Sequence, residues 1–420
     1  MKIILCNKYF FLNGGTEKYL QELLRRLAAT GHEPVPFSVR YAGSWASPYS
    51  EFFLPPPGPA EEIYYQNIRL SPANCLRYID RSMYSIEARW RLSRLLKATG
   101  GADMAYLLNI YNYMSPSIIH TFRKNGIPVV MRLGDYNLLC PSYLLLRNAR
   151  PCTLCLQGSY MSGVRYRCVK ESLPASALRV FSMYVHRWLD LYGLVDAFVV
   201  PCNFMRQRLI DGGFPAGRIH VLRSPAVSEI EAGGAQQRRH ILYFGRISPE
   251  KGLDTLIRSY QQLTDAPELI LAGRSYDGEQ ERLEALVAPE NRGRIHFAGF
   301  QEPLELAGLI GGALFTVVPS RWYDNAPLSV YESFLHATPV MAARIGGIPE
   351  QVTDGVTGKL FAPDNVDDLR DGMLWLLADR DRLAQMGRAG KEFVRQECGM
   401  DRHAVLLLEL FEKVRRHEQR

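Results

Sequence analysis

"HILYFGRISPEKGLDTLI", residues 240–257, runs from an apolar stretch through a glycine and a cationic loop into an amphipathic segment. The run HILYF is nearly continuous in apolar residues, as a strand covered on both faces must be. Gly245 closes it. After Lys251 and Gly252, Leu253, Leu256 and Ile257 recur at helical spacing. Strand, loop and helix in that order make half of a βαβ unit, and such units build parallel sheets. The same pattern recurs on either side. KIILC, DMAYLL, IPVVMR and VDAFVVP precede it, and PELILAG, RIHFAG and ALFTVVPS follow. Amphipathic stretches lie between most of these runs. The fold class is therefore α/β, with parallel sheets covered by helices on both faces.

The stretch just before residue 240 divides the chain. SPAVSEIEAGGAQQRRH, residues 224–240, is small, polar and Gly-rich and has no strong period. Two α/β domains are expected, over 1–225 and 238–400. The final amphipathic helix, 401–420, is expected to pack back on the first domain. Two segments interrupt the alternation in the first half. PYSEFFLPPPGPAEEIYYQNIRL reads as a loop or lid. RYIDRSMYSIEARWRLSRLLKATG reads as one basic helix with Trp90 among its cations. A solvated helix face is the simpler reading of that helix. A peripheral contact with anionic lipid is the sharper one.

The composition is that of an ordinary globular protein: 420 residues, 47% hydrophobic and 22% charged, with a net charge of +7. The mild positive excess suits an anionic ligand or membrane surface and is weak support for nucleic acid. No run of about 18 apolar residues is present, so no membrane-spanning helix is expected. MKIILCN is too short for a signal-peptide core and lacks a cleavage site, so a cytoplasmic protein is expected.

Three motifs carry chemistry. Gly14-Gly15-Thr16 precedes a helical stretch, and paired glycines there let backbone amides approach a phosphate at a helix N-terminus. Arg246 and Lys251 follow a strand at the carboxyl end of the sheet, where open α/β sheets bind ligands. Arg274 holds an equivalent place after PELILAG. Last comes PSRWYDNAPLSVYESFLHATPV, in which Asp324 lies in a loop and Glu332 in the helix after it, with Pro327 suited to the first turn. Asp324 is expected at the mouth of a cleft and Glu332 about one turn deeper, where a carboxylate needs partners such as sugar or ribose hydroxyls.

These motifs, with AGF at 298–300 and GGIPEQVTDGVTGKLF, resemble the family 4 glycosyltransferases, retaining enzymes of the GT-B fold. The resemblance covers most of the chain. It implies two Rossmann-like doubly wound domains facing across a cleft that holds a nucleoside-diphosphate sugar. Carried over, Asp324 takes the donor-sugar role and Glu332 the ribose role. Arg246 and Lys251 match the diphosphate pair. Gly14 and Gly15 match the loop near the phosphates, and Gly299 and Phe300 the segment near the base. The backbone amides around Pro327, Leu328 and Ser329 face the phosphates, and Asn325 falls among the nucleotide-sugar-binding residues. Asp135 matches the acid of a His-Asp pair. Two departures stand out: Asp324 is one methylene shorter than the usual Glu, and Gly134 stands where the His would be.

The resemblance implies front-face attack without a protein nucleophile. No Asp-x-Asp motif lies where the metal-dependent transferases carry theirs, so no catalytic metal is expected. The expected acceptor is a polysaccharide precursor, a lipid-linked glycan or a small molecule. Two other readings stay open: a nucleotide-sugar 2-epimerase, and a degenerate domain that binds nucleotide-sugar or a partner enzyme.

Four of the eight cysteines form a further constellation. Cys140, Cys152, Cys155 and Cys168 have the spacing C-x11-C-x2-C-x12-C within an insert of about 138–170. In a reducing compartment this reads as a tetrathiolate site, with structural zinc the default and a [4Fe–4S] cluster compatible. The insert resembles a cysteine-rich segment found in part of the same family. It follows Asp135 directly and is expected to shape the acceptor pocket. A nucleic-acid module built on these cysteines would want a basic, aromatic helix beside them, and there is none.

Overall fold

The computed structural model describes residues 1–59, 71–156, 158–227, 238–275 and 278–418. Much of the linker at 224–240 and the end of the Pro-rich segment thus lie outside the described residues. Two six-stranded, wholly parallel sheets form the frame. The first contains β1 (Lys2–Cys6), β2 (Glu33–Phe37), β3 (Met104–Leu107), β4 (Val129–Arg132), β7 (Ala197–Val200) and β8 (Ile219–Val221). Between β4 and β7 lies a two-stranded hairpin, β5 (Leu146–Arg147) and β6 (Arg150–Pro151). The second sheet contains β9 (His240–Phe244), β10 (Leu269–Ala272), β11 (Ile295–Gly299), β12 (Ala313–Val318), β13 (Val340–Ala343) and β14 (Gly358–Phe361).

The spatial orders are β2-β1-β3-β4-β7-β8 and β11-β10-β9-β12-β13-β14. In both, the chain steps to one side of the first strand and then returns to build on the other. That reversal opens a crevice at the carboxyl ends of the strands, between β1 and β3 in one half and between β9 and β12 in the other. The strands around it are buried on both faces. Ile241, Leu242, Leu269 and Leu271 are inaccessible to solvent, as are Ile3, Ile4, Ala105 and Val130.

β2 has the sequence EPVPF. Its two prolines argue against a central strand, and it lies at the sheet edge, paired to β1 alone. There a missing N–H can face away from the ladder. The stretch read above as one basic helix is two helices, Pro72–Met83 and Ile86–Thr99. Ser85 starts the second by accepting from the Ala88 N–H at 3.2 Å. Its cations are largely engaged rather than solvated. Arg81 is fully buried and donates to the Pro55 carbonyl, while Arg91 donates to Glu87 and to the Phe53 carbonyl. The described part of the Pro-rich segment also packs inward through Phe52, Phe53 and Leu54.

The last helix, Met400–Glu418, lies on the first half of the molecule. Leu407, Leu410, Phe411 and Val414 join the core formed by Ile3, Leu5, Tyr19 and Tyr106. Among the described residues no helix is long and apolar enough to cross a membrane.

Candidate functional site

The crevices of the two sheets face each other and enclose a cavity of about 340 Å3. Its wall on the first half comes from the start of the helix Gly15–Ala29, from the end of β4, and from Gly134. Its wall on the second half comes from the loops after β9 and β12. Of the residues singled out in the sequence, Gly15, Arg246, Lys251, Asp324, Asn325, Leu328 and Glu332 line this one space.

The acid loop is held tightly. Lys251 Nζ donates to Asp324 Oδ2 at 2.6 Å, and Ser320 Oγ donates to the same oxygen at 3.0 Å. Gly346, at φ +60°, lies under the loop; a Cβ there would sit 2.2 Å from the Asp324 carbonyl oxygen, so only glycine fits. Asp324 is 4% exposed, and the Glu332 side chain is 24% exposed. The depth expected from the sequence is thus inverted. The loop acid is the less exposed of the two, and its lysine partner lies inside with it. Glu332, in the helix Leu328–Leu335, reaches Lys18 on the opposite half at 3.5 Å. Burial holds its carboxyl above the ordinary range, with the Lys18 ammonium opposing.

Glu332 and Lys18 also line a second cavity of about 630 Å3, together with Phe300. Arg274 stacks over the Phe300 ring at 4.1 Å, and Gly299, at φ +66°, turns the chain out of β11 toward it. Gly14, Asp135, Arg274, Gly299, Pro327 and Ser329 line neither space. Gly14 caps the helix Gly15–Ala29, and Pro327 the helix Leu328–Leu335. Asp135 is turned toward Asn137, accepting from its N–H at 3.0 Å and its Nδ2 at 2.8 Å. Burial raises its carboxyl, and Lys8 and Arg179 pull it back.

Among the wall residues that escaped the sequence reading are Lys18, Arg132 and Trp322. Of the four cations lining the smaller cavity, three have carboxylate partners: Lys18 with Glu332, Arg246 with Glu250 at 3.1 Å, and Lys251 with Asp324. The interactions found for Arg132 are with neutral groups. Its Nη2 donates to Ser224 Oγ at 2.8 Å and its guanidinium covers the Tyr19 ring at 4.6 Å. Gly134 leaves space beside it, since a Cβ there would lie 3.9 Å from Arg132 Nη1. The buried Trp322 indole N–H has no acceptor among the described residues. An anion with further acceptor oxygens would answer the Arg132 guanidinium.

Contacts from half to half close the space. Asn325 Nδ2 donates to the Gly134 carbonyl, and Tyr136 meets Trp322 edge to face. The Glu350 carboxylate accepts from the backbone N–H groups of Asn203 at 2.8 Å and Phe204 at 2.7 Å. It thereby caps the helix Asn203–Asp211 from across the boundary. In the insert, burial raises the Tyr143 hydroxyl while Arg246 lowers it, so the insert reaches Arg246 on the other half.

Residues 14–225 match the profile of the glycosyl transferase 4-like domain, half of the chain, and residues 229–393 match that of the glycosyl transferases group 1. The chain belongs to the glycosyltransferase 4-like family. An uncharacterized glycosyltransferase of Methanocaldococcus jannaschii is 32% identical to this glycosyltransferase-family chain over 36% of its length and 42% of the relative's. The D-inositol 3-phosphate glycosyltransferase of Nocardia farcinica is 32% identical over 39% and 38%. These first relatives are thus matched over about two fifths of their length. The alpha-maltose-1-phosphate synthase of Mycolicibacterium smegmatis is 28% identical over 55% and 67%.

Solved structures show the fold to be GT-B. Sucrose-phosphate synthase from Thermosynechococcus elongatus superposes with a TM-score of 0.72 at 19% identity over 98% of both chains. Anabaena HepE in complex with UDP-glucose gives 0.65 at 15% identity over 98% of this chain and 100% of that one.

None of the insert cysteines forms a disulfide. Cys140 and Cys155 are buried, and Cys152 and Cys168 half-buried. Burial pushes the Cys155 thiol up to about 12, and the other three cysteines add to the shift, so the four share one neighbourhood. Among the described residues, however, no group of three or more side chains is gathered to hold a metal.

Proposed function

We propose that this chain is a retaining glycosyltransferase. It moves a sugar from a nucleoside-diphosphate sugar to a polysaccharide precursor, a lipid-linked glycan or a small molecule. The observation that carries the reading is the position of Glu332 between the two cavities. On one side lies Phe300, a surface for a base. On the other lie Arg246, Lys251 and Asp324. Base, ribose, diphosphate and sugar follow one another along that line. HepE, of the same fold, is described with UDP-glucose bound.

In this reading the ribose hydroxyls donate to Glu332. Arg246 and Lys251 neutralise charge as it develops on the departing diphosphate, without a catalytic metal. The leaving group accepts the acceptor hydroxyl's proton on the face it vacates, and the walls supply orientation. Asp324, held by Lys251, reaches the sugar hydroxyls and links the position of the sugar to that of the diphosphate. The protein works in the cytoplasm, at the inner face of the membrane when its acceptor is lipid-linked. The insert thiols are proposed to hold a structural zinc, with a [4Fe–4S] cluster as the alternative; loading must draw the four sulfurs together.

The test is incubation with a panel of nucleoside-diphosphate sugars, following donor hydrolysis and the anomeric configuration of the released sugar by NMR. Slow hydrolysis with the donor's configuration is expected. Release of a 2-epimer would favour the epimerase. Tight nucleotide binding with no turnover of any donor would favour a binding protein.

A further inference from the structure

The helix Leu173–Trp188 has an unusual outward face. Its inward face holds Ser176, Arg179, Val180, Ser182, Met183 and His186. Its outward face shows Leu173 at 48%, Phe181 at 57% and Trp188 at 85% exposure, with Ala177 exposed between them. Positions 173, 177, 181 and 188 form one stripe, so this amphipathic helix presents apolar residues where a solvent-facing helix carries polar ones. The adjoining helix Pro72–Met83 packs against it and exposes Leu76 at 67%. On the other flank the short helix Met161–Arg165 also packs on it and exposes Met161 at 55%.

The charge around the stripe is one-sided. The helix carries no carboxylate, and residues 160–190 contain five Lys and Arg against two acids. Arg165, Arg167 and Arg187 are exposed beside the apolar residues. Aromatic and aliphatic side chains flanked by cations, with a tryptophan at the rim, match the chemistry of a bilayer interface bearing anionic headgroups.

We propose that this face is a docking surface for an anionic lipid bilayer. Its inward side connects to the cleft. Arg179 Nη2 donates to the Asn137 carbonyl at 2.8 Å and to Asn137 Oδ1 at 3.1 Å, and Asn137 in turn holds Asp135, next to the cleft residue Gly134. A helix resting on the bilayer thus fixes the cleft rim relative to the lipid surface, which suits a lipid-linked acceptor. That last step rests on the glycosyl transfer proposed above.

The experiment is co-sedimentation of the full chain with vesicles of phosphatidylcholine alone or with about one third phosphatidylglycerol, at low and high salt. Binding to the anionic vesicles that weakens with salt is expected. The double variant F181S/W188S should lose at least about tenfold in affinity while keeping its melting temperature and its nucleotide affinity in solution. Absence of wild-type binding at low salt, or unchanged binding of the variant, overturns the proposal. So does light scattering that shows a wild-type dimer turned monomeric by the variant, since the face would then join two copies. Nucleotide affinity is read separately. Vesicle binding without nucleotide binding would sink the transferase reading alone, and the converse would sink this one alone.

Discussion

Asp324→Asn tests the center of the site. The substitution keeps shape and an acceptor for Ser320 but removes the charge opposite Lys251. The Lys251 side chain is 16% exposed and the Asp324 side chain 5%, so the ammonium is left largely buried without its partner. Breaking such a pair costs roughly 3–5 kcal/mol. At the lower figure, and at ~2–4 °C per kcal/mol for a domain of this size, the melting temperature should fall by about 6–12 °C. The freed ammonium remains available to a diphosphate, so nucleotide affinity should hold within about threefold or improve. Donor hydrolysis should fall by roughly 100-fold, because the group that ties sugar to diphosphate is gone. Calorimetric melting, nucleotide titration and hydrolysis read the three effects separately. A variant that melts with the wild type and hydrolyses donor at the wild-type rate would refute the assignment of Asp324 and the burial argument together.

Four other expectations are open to measurement. Arg132→Gln should weaken nucleoside-diphosphate binding by about tenfold, as for a lost charge-assisted contact, with little change in melting; unchanged affinity would mean that its free edge serves no anion of the donor. Glu332→Gln should weaken nucleotide binding yet leave melting at pH 7 unchanged or slightly higher, because burial penalises the ionised form. For the same reason wild-type affinity should rise with pH from the ordinary carboxyl value of 4.5 upward. His186 and His403 are buried neutral, each lowered from 6.5 to about 4 by burial, with Arg179 and Arg132 adding to the shift. The unfolded chain takes those protons first. Stability should therefore be whole above pH 6.5 and decline as pH falls toward 4, by up to roughly 3 kcal/mol per histidine, which melting against pH would show. Metal analysis of protein purified without oxygen should find about one zinc per chain; a brown protein would indicate iron–sulfur, and no metal would leave the thiols as reduced side chains.

The frame was legible where physics acts locally. β9, β10 and β12 are apolar runs ending at a glycine or a proline, and burial on both faces demands such runs. β2 was hidden by Pro34 and Pro36, which only an edge position tolerates, and β14, GKLF, by a lysine that breaks its short apolar run. At the site, Arg246, Lys251 and Asp324 were legible because they follow strand ends. Their pairing was not. Whether an acid at a loop tip points out or in depends on a lysine 73 positions away. Lys18 reads as one more charge on an amphipathic helix, and Arg132 as the last residue of a strand. Only the facing of the two sheets brings Lys18 to Glu332 and sets Arg132 in one space with Arg246 and Lys251. The outward stripe at 173–188 is not legible in the sequence, since spacing identifies an apolar stripe but not the side on which the core lies.

The Glu350 cap on the helix Asn203–Asp211 is also a joint between the halves. A carboxylate satisfying the first amides of a helix is ordinarily local; here donor and acceptor belong to opposite halves. Parting the halves to admit a substrate therefore leaves a helix end bare to water and forfeits the attraction of the carboxylate for its dipole. Salt would screen that attraction, and a neutral residue at 350 would remove it, weakening one of the contacts that hold the halves together.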